Sequence, residues 1–296
     1  MILSTNIGVL PRGEGRDIKS IQMLAEAGFD AIDYSLGALA DPFGPWMNSN
    51  YKEYAKLLLR VAEDNGIYFN QAHAPIPIDK NGQVTEESVK KIGLDCMDRV
   101  FEACALLKIP HVVIHGLAHP AVSATQETKL RANIEYFQKL REKGESFGVR
   151  VALENLMRTF SSPDSLYEII TALDSDYFLA CVDVGHSNMV NNGAADVIRK
   201  LGHWVQALHI HDNHVDFDEH LIPGLGTINW DTIIDALVEV DYPGDFTLEL
   251  ANHSTSCFSD RFGFDEDFFP KALKFSAKAG RNLADRLEAR LREKHK

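Results

Sequence analysis

Short apolar segments alternate with longer amphipathic segments along the whole chain of 296 residues. Most of the apolar segments are rich in Val, Ile, Phe or Tyr, which is typical of parallel strands that are buried on both faces. The amphipathic segments have the spacing of helices, and the clearest of them end at a glycine shortly before the next strand. Strands are predicted at residues 2–10, 29–36, 67–73, 111–116, 149–155, 177–185, 205–212 and 245–250.

Eight strand–helix units in a chain of this length are typical of an α/β protein with the (β/α)8 TIM-barrel fold. No Pro-, Gly- or Ser-rich linker divides the chain, so we expect residues 1–296 to form a single domain. A doubly wound open sheet is the alternative, and it usually carries a glycine-rich phosphate loop after its first strand. The segment GVLPRGEGR lies there but lacks the spacing G-x-G-x-x-G before an apolar helix, which favours the barrel.

The composition limits the classes of function. Hydrophobic residues make up 45% of the chain, and the formal net charge of −13 argues against general electrostatic binding to nucleic acid or to an anionic membrane. The four cysteines form no C-x-x-C pair, which argues against a zinc knuckle. The start of the chain has no basic leader, and no uncharged run approaches the roughly 20 apolar residues of a membrane span, so we expect a cytoplasmic protein.

Ionisable side chains stand at the ends of successive predicted strands. In a TIM barrel the carboxyl ends of the strands form the active site, so these side chains should converge there. Burying several unpaired carboxylates together is costly, and a divalent metal would compensate for it. Imidazoles and carboxylates without thiolates suit Mn²⁺, Zn²⁺, Co²⁺ or Fe²⁺, with Mg²⁺ less suited to the histidines. The set comprises His73, His115, Glu154, Asp183, His186, His209, His211 and Glu249, and the loop after the seventh strand adds Asp218 and His220.

Each of these residues, taken alone, has a simpler interpretation. Glu154 or Asp183 could cap the helix that follows its strand, which is a purely structural role. His209 and His211 alternate on one strand and could face the same side, so that one is a ligand and the other supports it. Isolated histidines such as His111 are interpreted as surface or hydrogen-bonded groups. The convergence of the whole set on strand ends is what favours a metal site.

Four segments, ALEN, CVDVGH, LHIHD followed by PGLGTINW, and FTLEL, resemble the xylose-isomerase-like TIM-barrel superfamily. This superfamily includes sugar isomerases and epimerases of the D-tagatose 3-epimerase type, inosose dehydratases and, more distantly, endonuclease IV. The epimerase pattern implies that His186 lies close to the substrate and that the metal ligands are Glu154, Asp183, His209 and Glu249. The endonuclease pattern implies further ligands at His73, His115, His186, Asp218 and His220. Because all these residues are present, the number of metal ions stays open.

The charges of the predicted top-face loops bear on the choice between a sugar and a nucleic-acid substrate. The loops 36–50, 116–126, 184–192 and 212–228 contain no Lys or Arg. A DNA-binding barrel needs basic side chains there to contact successive phosphates, so a nuclease is disfavoured. The related epimerases tend to carry an arginine after the seventh strand, and residues 212–228 contain none. The resemblance therefore does not predict which particular sugar this chain binds. The basic residues expected in the mouth of the barrel are Arg12, Arg16, Lys80, Arg158 and Arg261.

Aromatic and polar side chains in the predicted mouth suit a small sugar or polyol. The expected substrate-binding residues are Phe43, Trp46, His73, His115 and His186. The resemblance implies a sugar isomerase or epimerase that depends on Mn²⁺, Zn²⁺, Co²⁺ or Mg²⁺. In it, Glu154 and Glu249 move the proton α to a carbonyl through a metal-stabilised enediolate. An inosose-dehydratase-like lyase, an endonuclease IV-like multi-metal phosphodiesterase and a barrel that only binds metal are the alternatives. A homo-oligomer is compatible with each of them.

Overall fold

The computed structural model describes residues 1–7, 15–40, 44–117, 125–156, 163–190, 193–250 and 268–296. Eight parallel strands stand side by side in one sheet, in the ring order β1 to β7 with β8 next to β1. Their bounds are β1 Leu3–Asn6, β2 Ala31–Ser35, β3 Tyr68–His73, β4 His111–His115, β5 Arg150–Glu154, β6 Phe178–Asp183, β7 Val205–His209 and β8 Phe246–Leu248.

The sheet closes where β7 meets β8. Ile210 pairs with Leu248 in a parallel bridge, and the Ile210 amide donates to the Thr247 carbonyl at 2.9 Å. The Glu249 amide in turn donates to the Ile210 carbonyl at 3.0 Å. These bonds complete a (β/α)8 barrel, which confirms the predicted fold.

Helices surround the barrel. Their bounds are α1 Arg16–Ala27, α2 Tyr51–Asp64, α3 Glu86–Ser88, α4 Met97–Leu106, α5 Gln126–Glu145, α6 Pro163–Leu173, α7 Val184–Met189, α8 Ala194–Leu201, α9 Trp230–Glu239 and α10 Phe268–Lys294. The first of them ends as its sequence predicts, because Gly28 takes a left-handed φ of 99° and donates its amide to carbonyls of the last turn. Among the described residues, no helix combines the length and the apolar character that a membrane span requires.

Several predicted strands are longer than the observed ones. The strand predicted at 177–185 ends at Asp183 because α7 begins at Val184. The strand predicted at 205–212 ends at His209, and the one predicted at 245–250 keeps only three residues in regular pairing. At the mouth of the barrel the chain therefore leaves the sheet earlier than the apolar residues of these segments predict.

Strand alternation points the polar residues of the mouth into the barrel. The interior holds its own cluster of small and apolar side chains, separate from the larger core between strands and helices: Val113, Ala152, Leu179, Cys181 and Ala207. Two positions further along the same strands stand His115, Glu154, Asp183 and His209. Since side chains two apart on a strand share a face, these four project above the apolar layer, into the mouth.

Candidate metal centre

Four residues from four strand ends meet at the centre of the mouth. We name Glu154, Asp183, His209 and Glu249 the central cluster; each offers one ligand atom, and these atoms lie within 4.8 Å of one another. The Nδ1 atom of His209 lies 3.2 Å from Oε1 of Glu154 and 3.5 Å from Oε2 of Glu249. The first three residues are buried and Glu249 is partly exposed, so the cluster is reached from one side.

A second group shares Glu154 with the central cluster. We name His73, His115 and Glu154 the β3–β4 cluster, after the strands that carry its histidines. Oε2 of Glu154 lies 3.0 Å from Nε2 of His115 and 3.4 Å from Nε2 of His73. The two oxygens of one carboxylate thus face two different groups of histidines.

A third group stands on the segment after β7. We name His211, Asp218 and His220 the loop cluster. Nε2 of His220 lies 3.0 Å from Oδ2 of Asp218, and the rings of His211 and His220 stack with centroids 4.0 Å apart. The sequence allows His211 to be either a ligand or a support for one, and in the structure its Nε2 also lies 3.1 Å from Oδ1 of Asp183.

His186 lies between these groups. Its Nδ1 is 3.4 Å from Oδ2 of Asp183, and its Nε2 is 3.4 Å from Oδ2 of Asp218. The carboxylate of Asp183 also accepts a hydrogen bond from the His186 amide at 2.6 Å and caps α7. Asp183 therefore has the capping role that its position predicts, and its carboxylate still faces the central cluster. The glycine of the D-x-G-H segment leaves room for an imidazole, because a Cβ on Gly185 would lie 1.9 Å from the His211 ring.

The charges of the clusters favour ionised carboxylates. Burial by itself raises the pKa of Glu154, but the imidazoles of His209 and His115 outweigh it and hold the pKa well below its usual range. Burial is likewise outweighed at Asp183, where His186 and His211 lower the pKa to about 2. At His220, burial lowers the pKa, but the hydrogen bond to Asp218 and nearby carboxylates raise it to about 9.

The donor set fits a divalent cation. Oε2 of Glu154 and Oδ1 of Asp218 are buried and are faced by imidazole nitrogens, at 3.0 Å and 3.7 Å, without forming a well-aligned hydrogen bond. A buried carboxylate oxygen in that state is costly, and a cation bound in the β3–β4 cluster or in the loop cluster would satisfy it. Imidazole nitrogens and carboxylate oxygens are ligands that Mn²⁺, Zn²⁺ and Co²⁺ accept.

A buried carboxylate outside the clusters holds the loop that carries Asp218 and His220. Oδ1 of Asp212 accepts the amides of Asn213 at 3.0 Å and Ile228 at 3.1 Å. Its Oδ2 accepts the Gly224 amide at 2.8 Å and Nε1 of Trp230 at 3.2 Å. A Cβ on Gly226 would lie 2.3 Å from this carboxylate, so the PGLGTINW segment is shaped to enclose Asp212.

Sequence reasoning missed two buried carboxylates, Asp33 and Asp212. Oδ2 of Asp33 lies 3.2 Å from Nε2 of His209. A charged residue in the middle of a predicted strand, as Asp33 is in FDAIDYSL, is a usable signal. Asp212 directly follows the HIH segment, and only the folded loop shows what it binds.

The predicted aromatic wall is only partly described. Trp46 is fully buried, and its Nε1 donates to the Tyr34 hydroxyl at 2.9 Å while its ring meets Tyr54 edge-on. This is the environment of a core residue, so we leave Trp46 out of the proposed substrate site. Phe43, Arg12, Arg158 and Arg261 lie outside the described residues. Of the two basic residues that are described, Lys80 is exposed and Arg16 begins α1.

Comparison with known proteins identifies a family and several relatives. A family model for the xylose isomerase-like TIM barrel matches residues 21–278. An uncharacterized protein from Methanocaldococcus jannaschii is 30% identical over 187 residues, which span 61% of this chain and 64% of that protein. D-psicose 3-epimerase from Enterocloster bolteae is 23% identical over 241 residues, 78% of this chain and 75% of the enzyme. A probable endonuclease 4 from Exiguobacterium sibiricum is 27% identical, over 61% of both chains.

Solved structures share the fold. D-psicose 3-epimerase from Clostridium cellulolyticum, solved with D-tagatose, superposes with a TM-score of 0.75 at 16% identity and covers 96% of this chain and 99% of its own. The IOLI protein with a zinc atom superposes with a TM-score of 0.72 at 16% identity, covering 97% of this chain and 98% of its own. At this level of identity the likeness shows a common barrel architecture.

Proposed function

The chain belongs to the xylose isomerase-like TIM-barrel family, and on that premise we propose that it is a divalent-metal-dependent sugar isomerase or epimerase. One observation carries the proposal: the carboxylates of Glu154 and Glu249 both approach Nδ1 of His209, at 3.2 and 3.5 Å, from different strands. An ion held by such ligands can bind the carbonyl region of a sugar, and the two carboxylates beside it can exchange protons with the sugar. The relatives that are named as sugar epimerases support this reading.

The residues of the central cluster would hold the ion, namely Glu154, Asp183, His209 and Glu249. A divalent ion bound there supplies a Lewis acid for a carbonyl oxygen and the hydroxyl beside it. Asp183 and His209 are fully buried, and the proposed reaction does not use either of them as an acid or a base. Their burial excludes water from one side of the bound sugar and keeps the two ligands in one orientation.

Glu154 and Glu249 are the proposed acid–base pair. One carboxylate takes the proton from the carbon α to the carbonyl, and the electron pair of that C–H bond passes into the carbonyl to give an enediolate. The other carboxylate returns a proton to the same carbon from the opposite face, which inverts it. The histidine neighbours of Glu154 outweigh burial and lower its pKa, so this carboxylate is ionised and can accept a proton. Because β6 and β7 lie between their strands, the two carboxylates can act from different directions.

Histidines of the mouth complete the proposed substrate site. His186 reaches both the central cluster and Asp218, so it can orient a substrate hydroxyl beside the reacting carbon. His73 and His115 lie on the opposite side of Glu154, where each can donate a hydrogen bond to a sugar oxygen. A neutral or weakly charged sugar suits this mouth, because the described parts of the loops after β2, β4, β6 and β7 carry no Lys or Arg.

A multi-metal phosphodiesterase is the second candidate, and one observation favours it. The β3–β4 cluster and the central cluster share Glu154, and the loop cluster contacts Asp183, so three groups of ligands adjoin one another. Adjacent divalent ions suit the displacement at a phosphodiester. The described parts of the loops after β2, β4, β6 and β7 contain no Lys or Arg, which argues against this candidate because DNA phosphates need cationic contacts.

One experiment separates the two candidates. The purified protein, loaded in turn with Mn²⁺, Co²⁺ and Zn²⁺, is incubated with D-tagatose, D-psicose and D-fructose, and the products are resolved by chromatography and mass spectrometry. The same preparations are incubated with duplex DNA that contains an abasic site. Interconversion of the sugars without DNA cleavage supports the proposal, whereas DNA cleavage without sugar conversion supports the phosphodiesterase. A product lighter by one water would indicate a lyase of the inosose-dehydratase type.

A further inference from the structure

A carboxylate on the far side of His209 from the central cluster has no role in the proposed reaction. Asp33 lies on β2, is almost fully buried, and faces the barrel interior. We propose that Asp33 is a positioning residue, which holds the His209 ring so that Nδ1 points at the metal ion. The inference rests on the proposed metal site and adds to it a residue that does not touch the ion.

The two ring nitrogens of His209 have separate partners. Nε2 lies 3.2 Å from Oδ2 of Asp33, and Nδ1 lies 3.2 Å from Oε1 of Glu154. A neutral imidazole has one nitrogen that donates and one that accepts. If Nε2 donates its proton to Asp33, the lone pair is on Nδ1, which is the atom that faces Glu154 and Glu249.

Asp33 is itself held in place. The side-chain amide of Gln71 donates to the same Oδ2 atom at 3.1 Å, and Oε1 of Gln71 accepts from the Thr247 hydroxyl at 3.4 Å. Thr247 lies two residues before Glu249 on the same strand. The contacts therefore link β2, β3 and β8 around the one carboxylate oxygen that meets His209.

Packing does not explain a carboxylate at this position. Its second oxygen, Oδ1, is buried and has no hydrogen-bond partner. An unsatisfied buried oxygen is costly, so an apolar side chain would pack more favourably on the interior face of β2. The contact with His209 is the feature that an apolar residue could not supply.

The backbone is also adjusted at this residue. The pairing of β2 with β3 shifts its register between Ile32 and Asp33, so that Asp33 stands opposite Gln71 instead of Asn70. Such irregularities re-aim side chains and occur often beside active sites. Here the shift brings Asp33 level with the amide that fixes it.

Zinc affinity tests the inference without any assay of turnover. Zinc binding is measured by competition with a chromophoric chelator for the wild-type chain and for D33N, D33A and D245N. The site that depends on His209 is identified as the one lost in H209Q. We expect D33A to weaken that site about 10- to 100-fold, as for other carboxylates behind metal-binding histidines, and D33N to fall between D33A and the wild type. D245N is the matched control, because Asp245 contacts Asn70 at the other end of the barrel.

A spectroscopic measurement separates positioning from a general structural effect. In zinc-loaded protein labelled with ¹⁵N-histidine, the Nε2 proton of His209 should exchange slowly with water in the wild type and in D245N. In D33A that proton should exchange rapidly, while the ring signals of His73 and His115 stay in place. A disturbance of all three histidines alike would indicate loss of structure and contradict the inference.

The outcomes distinguish this inference from the proposed function. If the wild-type chain binds zinc and D33A binds it within twofold as tightly, Asp33 has no positioning role and the metal site stands. If the wild-type chain binds no divalent ion, the proposed function is wrong, and the positioning role that rests on it is wrong with it.

Discussion

Oε1 of Glu154 lies 3.2 Å from Nδ1 of His209 in the buried centre of the barrel mouth. The other oxygen of the same carboxylate lies 3.0 Å from Nε2 of His115. Glu154 is thus the residue that joins the central cluster to the β3–β4 cluster, and its loss should disturb both.

The number of bound ions should respond to Glu154 more than to any residue of the loop cluster. E154Q replaces one charged oxygen with an amide nitrogen that cannot bind a cation, so ions of both clusters that share Glu154 should be lost. D218N should affect only the loop cluster. Elemental analysis of the purified variants measures this, with E219Q as the control, because Glu219 pairs with His214 outside the clusters. Equal metal content in E154Q and E219Q would contradict the prediction that Glu154 is a metal ligand in both clusters.

Removal of the metal should lower the thermal stability. A ligand that binds only the folded state stabilises it by about 2.7 kcal/mol when its free concentration is 100 times the dissociation constant. Excess EDTA should therefore reduce Tm in differential scanning calorimetry, and added Mn²⁺ or Zn²⁺ should restore it. In H209Q, where the central cluster is broken, the same treatment should change Tm less. A Tm that is insensitive to EDTA in a protein shown to contain the ion would contradict this.

The Asp212 carboxylate should be needed for the loop that follows β7. Asp212 accepts four hydrogen bonds, and D212N turns one acceptor into a donor that faces other donors. We expect a loss of about 1–3 kcal/mol in the free energy of unfolding, together with weaker binding at the loop cluster. Urea denaturation measures the first effect, and D216N, an exposed position in the same loop, is the control. Equal stability of D212N and D216N would show that the loop does not depend on Asp212.

The partly buried His111 should make the protein less stable at acidic pH. Burial lowers its pKa from 6.5 to about 4. As the pH falls from 6.5 towards 4, His111 takes up a proton in the unfolded chain but not in the folded one, so folding stability is lost on acidification. The slope from this one group is at most about 1.4 kcal/mol per pH unit. H111Q should reduce the change of the free energy of unfolding with pH over this range, as measured by urea denaturation, and H203Q, at an exposed position, should not. The same pH dependence in H111Q and in the wild type would contradict the role of His111.

Much of the candidate site can be predicted from the sequence, because its residues stand at the ends of the predicted strands. The apolar runs place Glu154, Asp183 and His209 at the ends of neighbouring strands, and parallel strands in a barrel bring such ends together. The same reasoning could not decide the role of His211, because its spacing from His209 allows both to face the mouth. The structure shows that His211 contacts Asp183 and Asp218.

Contacts between distant segments account for what the sequence does not reveal. Asp33 and His209 are 176 residues apart, and neither strand predicts the register that aligns them. The sequence predicts that Trp46 binds substrate in the mouth, yet the packing of Tyr34 and Tyr54 around it buries the indole completely. The Asp33–His209 contact and the burial of Trp46 both depend on tertiary packing, which the local periodicity of the sequence cannot predict.

Deuterium uptake from D2O tests the proposed proton transfer most directly. The metal-loaded protein is incubated in D2O with whichever ketohexose it converts, and the sugar is examined by NMR and mass spectrometry, with E249Q and the control E219Q alongside. The proposal predicts deuterium on the carbon α to the carbonyl, at a rate that falls at least about 10²- to 10⁴-fold in E249Q at matched metal occupancy and is unchanged in E219Q. Conversion of the sugar at a normal rate without deuterium uptake would contradict it and remove Glu154 and Glu249 from proton transfer.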